Sequence, residues 1–359
     1  MTLAEELARH VRESPLVEPL GDGRIRCLAC GHRCPIFPGL PGVCKVRFND
    51  NGRLMAPYGY VNALHVDPIE KKPFFHALPG SRALSFGMLG CDLHCDYCQN
   101  WLSSQALRDP RADLYFQPIR AAEIVQQALV SGSRCVVSTY NEPLITAEWA
   151  VEVFREAKKH GLVTGFVSNG NATPEVLAYL RPWLDLFKVD LKSFRDSTYR
   201  KLGGRLEPVL DSIRRIHEMG FWLEVVTLVV PGLNDSREEL EDIARFLASI
   251  SPDIPWHVTA FHPDYKMTDP PPTSVEELMR AVRAGQDAGL RYVYAGNLAG
   301  RTGGWEDTRC WQCGTTLIER YGFRVLSNRL APGGRCPRCA ALVPGFWEPP
   351  ARAAEKEET

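Results

Sequence analysis

Between residues 83 and 300, short apolar runs alternate with stretches in which apolar residues recur every three or four positions. The runs are ALSFGML, RCVVSTY (134–140), LVTGFVS (162–168), LDLFKVD (184–190), FWLEVVTLVV (221–230) and WHVTAF (256–261). Runs of this length, rich in β-branched and aromatic residues, predict buried strands. Helical spacing falls near 118–131, 146–160, 174–181, 207–219, 236–249 and 274–288, and RYVYAG then offers one more strand. Such alternation is the pattern of β–α units on a parallel sheet. A complete eight-unit barrel takes about 250 residues and six units about 190, so the segment has room for six or seven. The expectation is an α/β fold built on a partial (β/α)6 barrel. A doubly wound open sheet fits the same pattern, and both place ligands at the strands' C-terminal ends.

The periodicity stops on either side. Residues 20–60 hold four cysteines among many Gly and Pro, and residues 305–349 hold four more. The chain therefore divides into an N-terminal Cys-rich module with a connector (1–82), the β–α segment (83–304), a C-terminal four-cysteine ribbon (305–349) and a charged tail expected to be disordered (350–359). Leu3, Leu7 and Val11 share one face of a short predicted helix, which lacks the basic and continuous apolar regions of a secretory signal. The most apolar stretch, FWLEVVTLVVPGL, is too short and too interrupted to span a bilayer. A net charge of −1 gives no global field for nucleic acid or an anionic membrane. Twelve cysteines in 359 residues are about 3%, far below a disulfide scaffold. Eleven of them fall into three tight clusters, which is metal-ligand usage in a reducing compartment, and a cytoplasmic location is expected.

The most specific cluster is GCDLHCDYCQNW, where Cys91, Cys95 and Cys98 are spaced C-x3-C-x2-C directly after the first predicted strand. Iron–sulfur cubanes are normally held by four thiolates. Three would leave one iron of a 4Fe–4S cluster open, and an open position marks a catalytic metal site. The spacing resembles the signature of the radical S-adenosylmethionine (SAM) superfamily. The wider pattern resembles its pyruvate formate-lyase activating enzyme branch. CLACGHRC, HVDPIEKKPFFHALPGS, CQNW and the C-terminal cysteine pairs are similar to the radical SAM member of the AmmeMemoRadiSam system. The resemblance covers nearly the whole chain. It implies a 4Fe–4S cluster whose open iron is chelated by SAM, one-electron cleavage to a 5′-deoxyadenosyl radical, and hydrogen abstraction from an unidentified substrate. It also implies an electron donor such as flavodoxin or ferredoxin.

Further candidates follow the predicted strands. After the second comes STYNEP, in which Glu142 suits an ammonium group and Asn141 a hydrogen bond. The resemblance places these two where the family's Gly-Gly-Glu motif holds the SAM amino group; a helix cap reads equally well from the residues alone. After the third comes Ser168-Asn169-Gly170, suited to ribose or carboxylate, or simply to a turn. At the end of the fourth, Asp190 and Lys192 alternate onto one face, where unpaired charge is costly. PGLND (231–235) offers backbone to an adenine ring. His262 after the sixth resembles a histidine that contacts SAM, and Tyr97 inside the cysteine run joins the cofactor candidates.

Cys310-x2-Cys313-x22-Cys336-x2-Cys339 is the pattern of a closed, structural zinc site in a zinc-ribbon or rubredoxin-like module. Cys27, Cys30, Cys34 and Cys44, with His32 nearby, fit zinc or an auxiliary iron–sulfur cluster. Cys135, inside an apolar run, reads as an inert buried thiol. The segment 65–81 is unusually rich in charge and histidine for a connector, and the resemblance makes it a wall of the active site. The leading expectation is a radical SAM oxidoreductase. The alternatives are a glycyl-radical activase acting on a partner protein and, from another class, a zinc-ribbon interaction protein with a degenerate barrel.

Overall fold

The structure, a computed structural model, describes residues 3–112 and 115–348. Its apolar runs assemble into one eight-stranded sheet. The strands are β1 (Ala63–Pro68), β2 (Arg82–Gly87), β3 (Cys135–Ser138), β4 (Val163–Ser168), β5 (Leu186–Asp190), β6 (Trp222–Val229), β7 (Trp256–Ala260) and β8 (Val293–Gly296). They lie side by side in chain order. Neighbours from β2 to β8 are parallel, while β1 pairs antiparallel with β2. Every predicted run forms its strand. RYVYAG supplies β8, so the parallel part has seven strands, one more than the six-unit count. β1 falls in the charged connector. It has no apolar run to announce it, because its residues are half-buried or exposed along an edge.

Helices Ala121–Val130, Ala147–Lys159, Pro174–Leu180, Leu206–Glu218, Arg237–Ile250 and Val275–Asp287 make the crossovers, within a few residues of their predicted bounds. Their starts carry local signals. Thr173 Oγ1 accepts from Val176 N, with Pro174 in the first turn. Ser274 and Glu277 form a capping box. On one face of the sheet Phe166 packs against Phe187 and against Phe154 of the 147–159 helix, with ring centroids 5.8 and 5.7 Å apart. Each fully buried ring of this kind contributes about 1.5–3 kcal/mol. The other face is different. There Asp190, Val226, His257 and Tyr294 share one register row across β5 to β8. That polar row marks where ligands go.

Two small antiparallel sheets precede this core: Val11–Glu13 with Phe48–Asp50 and Arg53–Pro57, and Val17–Gly21 with Arg24–Cys27 and Pro35–Ile36. Arg47 ties them to the core. It is 1% exposed and donates to the Ile145 carbonyl (2.8 Å), the Ser14 hydroxyl (3.2 Å) and the Glu148 carboxylate. Glu148→Ala strands this guanidinium in the interior and is expected to cost about 3–5 kcal/mol in chemical denaturation. A loss below about 1 kcal/mol would mean that water reaches Arg47. After the core, Thr308–Arg309, Thr316–Tyr321 and Arg324–Asn328 form a three-stranded antiparallel sheet. It grips the 72–78 segment. Arg320 donates to the Phe75 carbonyl (2.7 Å), and Phe346 exchanges backbone bonds with His76 and Leu78. No helix among the described residues is long and apolar enough to cross a membrane. Residue 349 and the tail at 350–359 lie outside the described residues.

Candidate active site

A cavity of about 750 Å³ opens at the C-terminal ends of the parallel strands. The three cysteines of the 91–98 run line it, and so do Tyr97, Asn141, Glu142, Ser168, Asn169, Asp190, Lys192 and His262. These residues come from five separate stretches of sequence, and the sheet brings all of them to one place. The turn at 231–235 does not join them. Asn234 folds it back, donating to the carbonyls of Leu228 and Lys192 at 2.8 Å, and its backbone does not line the cavity.

The cysteine run leaves β2 as a loop. Leu93 N lies 3.4 Å from Cys91 Sγ, and Cys98 Sγ lies 3.2 Å from the Ser104 hydroxyl. Burial pushes the thiols of Cys91 and Cys98 up, and that of Cys95 to about 12. Thiols so placed become thiolates against a metal, which deprotonates its ligand outright. Among the described residues, only Cys310, Cys313, Cys336 and Cys339 bring three or more ligand atoms within 4.8 Å of one another. The 91–98 thiols are spread more widely, which suits a polynuclear group better than a single ion.

Asp92, which the sequence did not single out, organises the neighbouring loops. It is fully buried, and its oxygens accept from Asn169 Nδ2 (2.7 Å) and Asn171 Nδ2 (2.8 Å). Gly170 permits this turn: it sits at φ +74°, and a Cβ there would lie 2.5 Å from a Val189 methyl. Glu142 is held from the same turn. It accepts from Ser168 Oγ and Asn169 N (both 2.7 Å) and from Leu144 N (3.0 Å), the last as the cap of a short 3₁₀ helix at Pro143–Thr146. The cap reading of this motif is thus realised by Glu142 itself. Three donors leave one of its roughly four acceptor positions open. Burial, and then the Asp92 carboxylate, raise its pKa to about 8. Asn141 is committed to the scaffold, accepting from Met88 N at 3.0 Å.

Asp190 lies between Lys188, which bonds it, and Lys192, at 3.6 Å. Burial opposes its charge, but the two ammonium groups hold its carboxyl below the usual range. Asp190 in turn holds Lys192 protonated against the burial penalty. His262 sits at the exposed rim, 3.0 Å from Gln99. The remaining wall is drawn from other elements: Lys72 and Phe75 of the connector, His257 of β7, Tyr294 of β8, and Glu306 and Phe323 from the C-terminal part. The connector is therefore a wall, and the C-terminal module borders the opening.

At the C-terminal four-cysteine site the sulfurs of Cys310 and Cys339 are 3.5 Å apart, and those of Cys313 and Cys336 are 3.7 Å apart. A tetrahedral site with metal–sulfur bonds of about 2.3 Å has edges of about 3.8 Å, so one ion fits. At the N-terminal cluster Cys27, Cys30 and Cys44 are buried and Cys34 half-buried. His32 Nε2 lies 3.1 Å from the Asp92 carbonyl. Cys135 is buried in β3, with its thiol raised to about 12 by burial, as expected of an inert residue.

Comparison with known proteins now decides the family. The model of the radical SAM superfamily matches residues 87–247. Uncharacterized protein MJ0808 of Methanocaldococcus jannaschii is 36% identical over 336 residues, covering 93% of this chain and 99% of that protein. The pyruvate formate-lyase-activating enzyme of Staphylococcus epidermidis is 25% identical over 194 residues, 51% of this chain and 76% of that enzyme. This chain belongs to the radical SAM superfamily. Within it the chain falls in the pyruvate formate-lyase activating enzyme-like branch. Among solved structures, a domain of pyruvate-formate lyase-activating enzyme from Bacteroides vulgatus aligns with a TM-score of 0.40 and 23% identity over 45% of this chain and 98% of that one. Membership makes the protein an enzyme, and radical SAM proteins carry a 4Fe–4S cluster and SAM. The residues fit both groups: three converging thiols for the cluster, and an open acceptor position on Glu142 opposite a Lys192 ammonium for the amino acid end of SAM.

Proposed function

We propose that this radical SAM enzyme cleaves SAM reductively and takes a hydrogen atom from a small molecule bound beside it. Cys91, Cys95 and Cys98 hold the cluster. Glu142 receives the SAM ammonium, Lys192 its carboxylate, and Ser168, Asn169 and Asp190 its remaining polar groups, with Asn141 bracing the turn. Tyr97 and His262 flank the adenosyl side. Bound there, the two groups supply a 5′-deoxyadenosyl radical. The chain's own residues orient SAM, keep its charges paired and exclude water that would quench reactive species.

The observation that carries this reading is the convergence of all eleven predicted residues on one cavity that has a second, unclaimed wall. Its volume lies in the range of small-molecule sites, about 300–1,000 Å³. SAM and the cluster take up part of that volume, so the preference for a small substrate over the glycine of a partner protein rests on the lining that they leave unclaimed, Lys188, His257 and Tyr294. The relatives named as pyruvate formate-lyase-activating enzymes support the activase alternative. Residues 1–82 and 305–349 then serve as flanking modules, the latter around a structural zinc. Cys27, Cys30, Cys34 and Cys44 hold zinc or an auxiliary cluster, and flavodoxin or ferredoxin is the expected class of electron donor. The test is anaerobic reconstitution followed by 5′-deoxyadenosine assay with a strong reductant, first alone and then with metabolite fractions or candidate partner proteins. No 5′-deoxyadenosine under any of these conditions would overturn the reading.

Glu142 gives a pH test of SAM binding. Its carboxyl is raised to about 8, so it is protonated at neutral pH in the free protein and must ionise to meet an ammonium. SAM affinity should therefore rise with pH, by up to tenfold per unit, until about pH 8, where the rise ends because Glu142 is ionised and the ligand's own α-amino group, ordinarily at about 7.7–8.0, begins to lose its proton. Glu142→Gln should remove that slope and weaken binding by about 1.5–3 kcal/mol at the plateau. A titration with no slope in the parent protein would leave Glu142 as only the cap of the 143–146 turn.

A further inference from the structure

Away from the cysteine run in sequence, on β7, His257 is 2% exposed yet lines the same cavity. Its Nε2 lies 2.7 Å from Glu224 on β6. Glu224 is fully buried one pleat below Val226, the register partner of His257. Glu224 also accepts from the backbone N–H groups of Phe75 and His76 at 2.9 Å and from the Trp222 indole at 3.0 Å. A carboxylate so surrounded by donors fixes His257 as the Nε2–H tautomer. Its Nδ1 has no hydrogen-bond partner among the described residues. The ring is further held by stacking on Tyr294 (25° between planes, centroids 5.1 Å apart) and by the edge of Phe75 at 4.8 Å. The arrangement is an oriented imidazole with one free lone pair in a substrate-sized cavity.

The charged groups that act on this ring are Glu224 on β6, Lys188 on β5 and Arg320 from the C-terminal sheet. Burial, and then the two cations, hold His257 below its ordinary range against the pull of Glu224, so the ring is uncharged at neutral pH. Lys188 lines the same cavity and is itself buried. Hydrogen-atom abstraction from carbon employs neither a base nor a second cation, so this wall has another task.

We propose that His257 is a catalytic proton acceptor: its Nδ1 takes a proton from an ionisable hydroxyl or enol of a small-molecule substrate, beside Lys188. The O–H bond breaks, its electron pair stays on oxygen and the proton forms an N–H bond at Nδ1. Glu224 is a positioning residue that neutralises the imidazolium, and Lys188 faces the new oxyanion. The inference rests on the proposed function for the identity of the cavity as a substrate site, and it narrows the substrate to hydroxyl- or enol-bearing molecules.

The test uses the reconstituted full-length holoenzyme and diethyl pyrocarbonate, which acylates unprotonated imidazole, with adducts mapped by mass spectrometry. Modification of His257 is expected, with a rate that falls as the pH drops through its titration. Lys188→Met should move that inflection up, because a facing cation is removed, and Glu224→Gln should move it down. para-Nitrophenol should protect His257, and para-nitroanisole, which lacks the proton, should not. With the substrate found by the 5′-deoxyadenosine screen, His257→Gln should lower product formation by about 10²–10⁴-fold, the usual worth of a general base, and abolish its pH dependence. A His257 that stays unmodified while exposed His262 reacts, equal protection by phenol and ether, or a substrate without an ionisable O–H would overturn the proposal. The footprint needs no SAM cleavage, so its failure is distinct from failure of the radical reading.

Discussion

Replacing Cys95 by alanine should abolish reductive SAM cleavage while the sheet stays folded. In the proposed reading each of the three thiolates holds one iron, and two would not retain the cubane in the geometry that leaves a fourth iron open. Cys95 is 7% exposed and packs with Leu93, Tyr97, Leu202 and Phe261 in a small cluster apart from the main core. Loss of one sulfur there leaves the Phe154, Phe166 and Phe187 packing untouched. The expected result is iron content reduced, 5′-deoxyadenosine below detection and an unchanged far-UV spectrum. Production at the parental rate would show that the C-x3-C-x2-C run is not the cluster site. Cys91→Ala and Cys98→Ala should behave the same way.

The second large effect is expected at the other end of the chain. Cys336→Ser removes one corner of a site whose sulfur–sulfur edges, 3.5 and 3.7 Å, already match a tetrahedral ion. A closed four-thiolate site supplies folding free energy directly. The variant should lose about one zinc per chain, and the segment after Asp307 should become sensitive to proteolysis. Uncoupled SAM cleavage should persist, because the 91–98 run is carried by β2. Turnover of a true substrate should fall. Arg320 and Phe346 hold the 72–78 segment, which presents Phe75 to the cavity and the N–H groups of Phe75 and His76 to Glu224. Iron instead of zinc at this site, or loss of SAM cleavage with the segment still folded, would contradict the structural assignment.

Much of this was legible in the chain itself. The strands and helices were written in local patterns: apolar runs at strand length, helical spacing between them, and signals such as Thr173-Pro174 and Ser274…Glu277 at helix starts. The metal-ligand spacings were local in part: C-x3-C-x2-C lies within one loop and each C-x2-C pair within one turn, whereas the four C-terminal sulfurs meet only when the hairpin of Thr316–Tyr321 and Arg324–Asn328 brings the two pairs together. Candidates at strand ends could be named because parallel sheets gather their C-terminal loops on one side.

What only the tertiary structure decided involves residues far apart in sequence. Glu224 appeared in the chain as an acid interrupting an apolar run, and His257 as one polar residue in another. Their pairing requires β6 and β7 to be in register and the connector to fold beneath them. Asp92 became a hub only when the 169–171 turn closed over it, and Glu142 became a cap and an open acceptor at once. β1 stayed hidden because an edge strand needs no continuous apolar face, and the 231–235 turn was drawn away from the cavity by a single asparagine. Local sequence determines which backbone conformation each segment prefers and which ligand sets are short-range. Pairing of buried polar groups depends on distances set by the whole sheet, so it becomes visible only when the strands are laid side by side.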